Sequence, residues 1–269
     1  MPLSLLGAVY FATFLVWGFV GRFVQLPGLQ WGALVSVVVA TIVVVTSFEH
    51  GRWPLGLAAP PRIAVSEAFA GGLFAAVLIF AGDGLILATT NLHHMRGNGF
   101  PWDELATIYL PAVLHEELLF RGYAMQKLAT RWPRFAVGFM AAVFALLHLG
   151  NQAVSVLAIA NIYVAGVLLG LTWLVTGRLW FAIGLHLIWN LLSGPILGYN
   201  VSGYESHRTV WRTSGSGAPM LTGGGFGIEG SVWMLVVELL AVALMCWWMW
   251  RRNYNQRPQL LVHHLPEDS

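Results

Sequence analysis

Residues 153–176 read AVSVLAIANIYVAGVLLGLTWLVT, an unbroken run without one charged side chain. At about 1.5 Å of rise per residue, about 20 helical residues cross the hydrocarbon core of a bilayer. This run is long enough, and Gly177-Arg178 closes it. Working outward, further apolar stretches lie at 3–21, 31–48, 66–90, 104–127, 134–149, 179–197 and 230–250. Prolines and polar clusters separate them, including Pro54, Pro60 and Pro61, and Arg131-Trp132-Pro133-Arg134. The pattern predicts an all-α, polytopic transmembrane helical bundle of about eight spans. It contains no internal repeat.

Composition agrees. Of 269 residues, 57% are hydrophobic and only 10% are charged, against about 25% charged in soluble domains. Mean hydropathy is +0.69. A water-soluble globule of this size would lack surface charge, and a disordered chain would lack this apolar content. Cys246 is the single cysteine, which excludes an intrachain disulfide and a thiolate metal cluster. The 14 Lys and Arg are scattered, so no basic stripe invites nucleic acid.

No Lys or Arg precedes Arg22, so the first stretch lacks the basic flank of a secretory signal and reads as a retained span. With eight spans both termini share one side. That side collects Arg52, Arg62, Lys127, Arg131, Arg134, Arg178, Arg251, Arg252 and Arg257, against Arg22, Arg96, Arg208 and Arg212 on the other. The excess predicts cytoplasmic termini. The expected protein is a multi-pass integral membrane protein, fitting a bacterial cell membrane. Three regions are expected: N-terminal transmembrane helices over 1–103, a core over 104–195, and 196–269 with an outer loop, a last span and a cytoplasmic tail. The Gly- and Ser-rich segment 198–229 reads as a flexible outer loop, a plain connector or a lid.

Ionisable groups inside a bilayer are costly and mark functional sites by default. Here they gather in three spans: His115, Glu116, Glu117 and Arg121, then His148, then His186 and Asn190. Glu117 and Arg121 stand at i,i+4 with the acid N-terminal, the favourable order for a pair. Glu116 and Arg121 are five apart, roughly 140° around the axis. Glu117–Arg121 therefore reads as a structural ion pair and Glu116 as the reactive carboxylate, with the opposite assignment as the alternative. His186 and Asn190 share a helix face, as do Phe144 and His148. Counted from the cytoplasmic ends, Glu116, His148 and His186 lie about 16, 21 and 11 Å deep, so one site can hold all three. The competing role is interhelical hydrogen bonding. That role suits Asn161 and also Asp83 and Glu238, each isolated in its own span, while His93, His94, His263 and His264 read as solvated.

Several catalytic patterns fail. His115-Glu116 begins a zincin motif, but Leu119 stands where the second histidine belongs. Ser214-Gly215-Ser216-Gly217 lies in a polar loop and lacks the first Gly of a rhomboid-type Gly-x-Ser-Gly motif. Asp83 is the lone aspartate of its span, with Phe80 where a Gly-x-Gly-Asp motif needs its first Gly, and a Walker loop is absent. An ordered set remains: Glu116-Glu117-x-x-x-Arg121 within PAVLHEELLFRGY (111–123), then Phe144-x-x-x-His148, then His186-x-x-x-Asn190 after Thr176-Gly177-Arg178-Leu179-Trp180. Over roughly 104–195 this set resembles the CPBP, or Abi, family of intramembrane proteases, the type II CAAX endopeptidase-like family.

The resemblance implies peptide-bond hydrolysis within the membrane, on a membrane-associated protein or peptide. The family includes processors of prenylated CaaX proteins, so a lipidated substrate is among those implied. Its functional positions carry over to Glu116, His148, His186 and Asn190. A desolvated carboxylate suits general-base work. Glu116 and His148 would hold and deprotonate a water, while His186 and Asn190 would donate hydrogen bonds to the oxyanion. This reading requires no cofactor. The family is described both as metalloproteases and as glutamic proteases, so a zinc site of Glu116, His148 and His186 is the alternative. Outside proteolysis, the alternatives are a scaffold or bacteriocin-immunity protein and a proton-coupled transporter.

Overall fold

The computed structural model describes residues 2–21, 28–51, 53 and 55–251. Arg22, Arg52, Pro54, Arg252, Arg257, His263 and His264 lie outside the described residues, as does the expected tail. In chain order come α1 (Pro2–Val20), α2 (Leu29–Phe48), α3 (Pro61–Thr89), β1 (His93–Arg96), the one-turn α4 (Trp102–Glu104), α5 (Leu110–Phe120), α6 (Tyr123–Ala129), α7 (Pro133–Leu147), α8 (Val156–Thr176), α9 (Trp180–Leu191), β2 (Trp211–Ser214), the short α10 (Pro219–Thr222) and α11 (Val232–Arg251).

The chain is a polytopic all-α bundle and an integral membrane protein. Among the described residues six helices are long and apolar enough to cross a membrane: α1, α2, α3, α7 with its terminal turn, α8 and α11. Two more apolar helical segments pass through the bundle, Trp102–Phe120 and Trp180–Ile196, and each contains a π-helical turn. The cause is proline. Pro111 and Pro195 each lack an amide donor and crowd the carbonyl of the preceding turn. The backbone widens at Leu105–Tyr109 and at Leu192–Ile196. Such turns recur at functional sites.

Packing is inside-out relative to a soluble protein. Val65, Phe69, Leu73 and Phe80 of α3 are exposed, as are Leu239, Leu240 and Leu244 of α11, the faces a bilayer covers. The inner core joins α3, α8, α9 and α11 through Ile79, Leu168, Leu185, Trp189 and Met234. A second cluster joins α5, α7, α8 and α9 through Val113, Val137, Leu174 and Ile183. The α3–α9 crossing is tight, because a Cβ at Gly184 would run into the backbone carbonyl of Ala68. Small residues permit such approach between membrane helices. Ser155 caps α8 by accepting the Ala158 amide at 3.0 Å, the usual satisfaction of a helix start.

The structure corrects three expectations. The fourth apolar stretch is not one helix to residue 127: α5 ends at Phe120, and α6 starts anew at Tyr123. The chain turns at Gly122, where a Cβ would meet the Leu118 carbonyl oxygen. The segment 198–229 is a folded roof rather than a loose connector. Its strand β2 pairs antiparallel with β1, from His93 opposite Ser214 to Arg96 opposite Trp211. His94 is not solvated but bonds Asp83, whose hydrogen bonds fit the packing role expected of it. His94 Nε2 donates to Asp83 Oδ1 at 3.0 Å, and the Tyr199 hydroxyl donates to the same oxygen at 2.7 Å. Strand pairing carries His94 back over the end of α3, a contact that apolar periodicity does not encode.

Candidate active site

The π turn before α5 and the cap at Arg121 fix how α5 presents its polar side chains. Glu117 is fully buried and accepts from Arg121 Nη1 at 3.0 Å. It also accepts from His186 Nδ1 at 2.8 Å. Arg121 is 1% exposed. Its guanidinium lies over the Phe144 ring at 4.6 Å and donates to the Gly166 carbonyl at 3.3 Å. The structure thus joins α5, α7, α8 and α9 at one buried charge pair. Such a pair is favourable only where its remaining hydrogen-bonding capacity is met; an imidazole, an aromatic face and a carbonyl meet part of it, and Glu117 Oε2 is buried without a hydrogen-bond partner among the described residues.

Glu116 faces another way. It borders a cavity of about 970 Å³ that also receives His148, His186 and Asn190. Its Oε2 stands 3.6 Å from His186 Nε2. His148 follows α7 in a 3₁₀ turn, Nδ1 donating to the Phe144 carbonyl at 2.8 Å. That bond assigns the proton to Nδ1 and leaves Nε2 as an acceptor. Phe144 packs edge-on to both imidazoles, 4.6 Å from His148 and 6.3 Å from His186 between ring centres. The Asn190 amide borders the cavity without a hydrogen-bond partner among the described residues.

Other groups at this cavity escaped the sequence reading. Tyr10 of α1 bonds His115 Nε2 at 2.9 Å and stacks on its ring. A lone tyrosine in an apolar helix carries no signal of that contact. Ser202, Tyr204 and Glu229 also line it. Tyr204 donates to Glu104 Oε1 at 2.9 Å. Burial and that carboxylate push its phenol up to about 12, so it remains a donor at neutral pH. His207 Nδ1 donates to the same oxygen at 2.6 Å. Asn161 is a packing residue, donating to the backbone carbonyls of Glu229 and Ser231 at 2.6 and 2.9 Å.

Residues 98–192 match the model of the type II CAAX prenyl endopeptidase Rce1-like family. Over this segment, about a third of the chain, the protein is similar to that family. It contains Glu116, Glu117, Arg121, His148, His186 and Asn190, and the match points to a CAAX-type protease. No curated protein matches the chain. Tyr10, Ser202, Tyr204 and Glu229 lie outside the Rce1-like segment yet border its cavity.

The zinc alternative needs three convergent ligands. Glu116, His148 and His186 share the cavity, but among the described residues no three His, Cys, Asp or Glu side chains are gathered to hold a metal ion.

Proposed function

We propose that the protein is an intramembrane endopeptidase that hydrolyses a peptide bond of a membrane-associated, CaaX-like substrate with a water activated by Glu116 and His148. The observation that carries this reading is the division of labour on α5. Glu117 is occupied by Arg121 and His186, while Glu116 is free to face the cavity. A water between Glu116 and the His148 Nε2 acceptor loses its proton to Glu116 as its oxygen attacks the carbonyl carbon. The oxyanion takes a hydrogen bond from Asn190 Nδ2. It takes a second from the Nε2–H of His186 as an imidazolium that carries both protons before the step and keeps them through it, its Nδ1–H donated to Glu117. Collapse breaks the C–N bond, and Glu116 returns the proton to the leaving amine. This is general acid–base catalysis with electrostatic stabilisation, and no step passes through a metal.

The substrate class follows the cavity lining. Leu3, Leu6, Leu119, Met140, Val143 and Leu147 form an apolar wall beside the polar groups, which suits a lipid-bearing peptide. Cytoplasmic termini, as the loop charges suggest, set the orientation of that substrate. The test is cleavage of fluorescence-quenched peptides, prenylated and plain, by the purified protein in lipid nanodiscs. Cleavage by the wild type that is lost in Glu116→Gln supports the reading. Equal cleavage by both overturns it.

A further inference from the structure

We infer that Glu229, outside the Rce1-like segment, is a positioning residue of the same catalytic site; the inference rests on the hydrolytic reading above. Glu229 is 5% exposed and borders the cavity. Its two carboxylate oxygens serve two different structures. Oε1 accepts the Trp189 indole Nε1 at 2.9 Å. Oε2 accepts the Ser202 amide at 2.7 Å and the Ser202 hydroxyl at 2.8 Å.

Trp189 stands beside Asn190 on α9, three residues beyond His186, and all three border the cavity. Holding the indole holds the rotation of the helix face that carries the oxyanion donors. The second oxygen holds the roof. Ser202 has φ +48°, a conformation uncommon for residues other than glycine, and both of its donors are engaged by Glu229. Asn151, three residues past His148, donates to the Ser202 carbonyl at 2.9 Å. One carboxylate therefore links the Asn190 side of the cavity to the loop after His148. A carboxylate is needed because it accepts on both sides. Glutamine would turn an amide donor towards one of those donor groups.

The experiment compares wild type, Glu229→Gln, Trp189→Phe and the double variant in lipid nanodiscs, with kcat and KM per folded molecule. Glu229→Gln lowers kcat about 10- to 100-fold, the range for losing hydrogen bonds to a charged group, and changes KM less. Trp189→Phe lowers kcat without touching the carboxylate, and the double variant falls no further than the worse single variant. A wild-type kcat in either single variant overturns the inference, as does multiplication of the two losses. Trp189→Phe keeps the test open if Glu229→Gln does not fold. A wild type that cleaves nothing refutes the hydrolytic reading and this inference together. An active wild type with unaffected variants refutes this inference alone.

Discussion

Glu116→Gln and Glu117→Gln alter adjacent carboxylates by the same atoms, and the structure gives them opposite consequences. Glu117 is 0% exposed and accepts from Arg121 and His186. Removing its charge strands a guanidinium that is itself 1% exposed. Breaking one partner of a buried pair costs about 3–5 kcal/mol, a large share of a total stability of about 5–15 kcal/mol. Glu116 is 24% exposed along its side chain, and its nearest ionic partner is His186 at 3.6 Å. Its loss costs about 0.5 kcal/mol or less, as for surface substitutions. It removes the base, worth about 10²–10⁴ in rate. Thermal unfolding in nanodiscs, followed by cleavage assays on the folded fraction, separates the two effects. Glu117→Gln melts well below wild type, whereas Glu116→Gln melts with it and is inactive. A Glu116→Gln that cleaves normally, or a Glu117→Gln as stable as wild type, refutes the division of roles.

Further outcomes follow from the same geometry. Asn190→Ala, which removes one oxyanion donor, lowers kcat about 10²–10³-fold, and normal turnover in the folded variant refutes the donor role. Chelator treatment leaves peptide cleavage unchanged, and loss of cleavage restored by zinc revives a metal site. Gly184→Leu forces α9 off α3 at the Ala68 carbonyl. It costs about 1–3 kcal/mol as overpacking, read as a lower melting temperature.

The bundle was open to sequence reading because lipid exposure leaves long uncharged runs that need no partner to be recognised. The i,i+4 spacing of Glu117 and Arg121 carried their contact, since one helix supplies both ends. Pro111 and Pro195 stood in the sequence, but their effect depends on the helix continuing through them, which length alone did not decide. The roof reads as a connector in the sequence because its contacts are singular. Asp83–His94, Tyr204–Glu104 and Glu229–Trp189 each join distant chain segments without periodicity. Tyr10 escaped for the same reason, its partner being 105 residues away.

The placement of Glu117 and Arg121 on one helix end bears on how the chain enters the membrane. A lone Glu or Arg at the centre of an inserting helix costs about 2.5–3.5 kcal/mol, and a partner on another helix would arrive too late to offset it. At i,i+4 the two charges meet as soon as the α5 segment coils, before α7, α8 or α9 has been synthesised. The pair can leave the translocation machinery already neutralised, with Glu116 as the remaining charge of the α5 segment. His186 then docks on a carboxylate that is already in place, and the assembly of α9 against α5 becomes the step that completes the site.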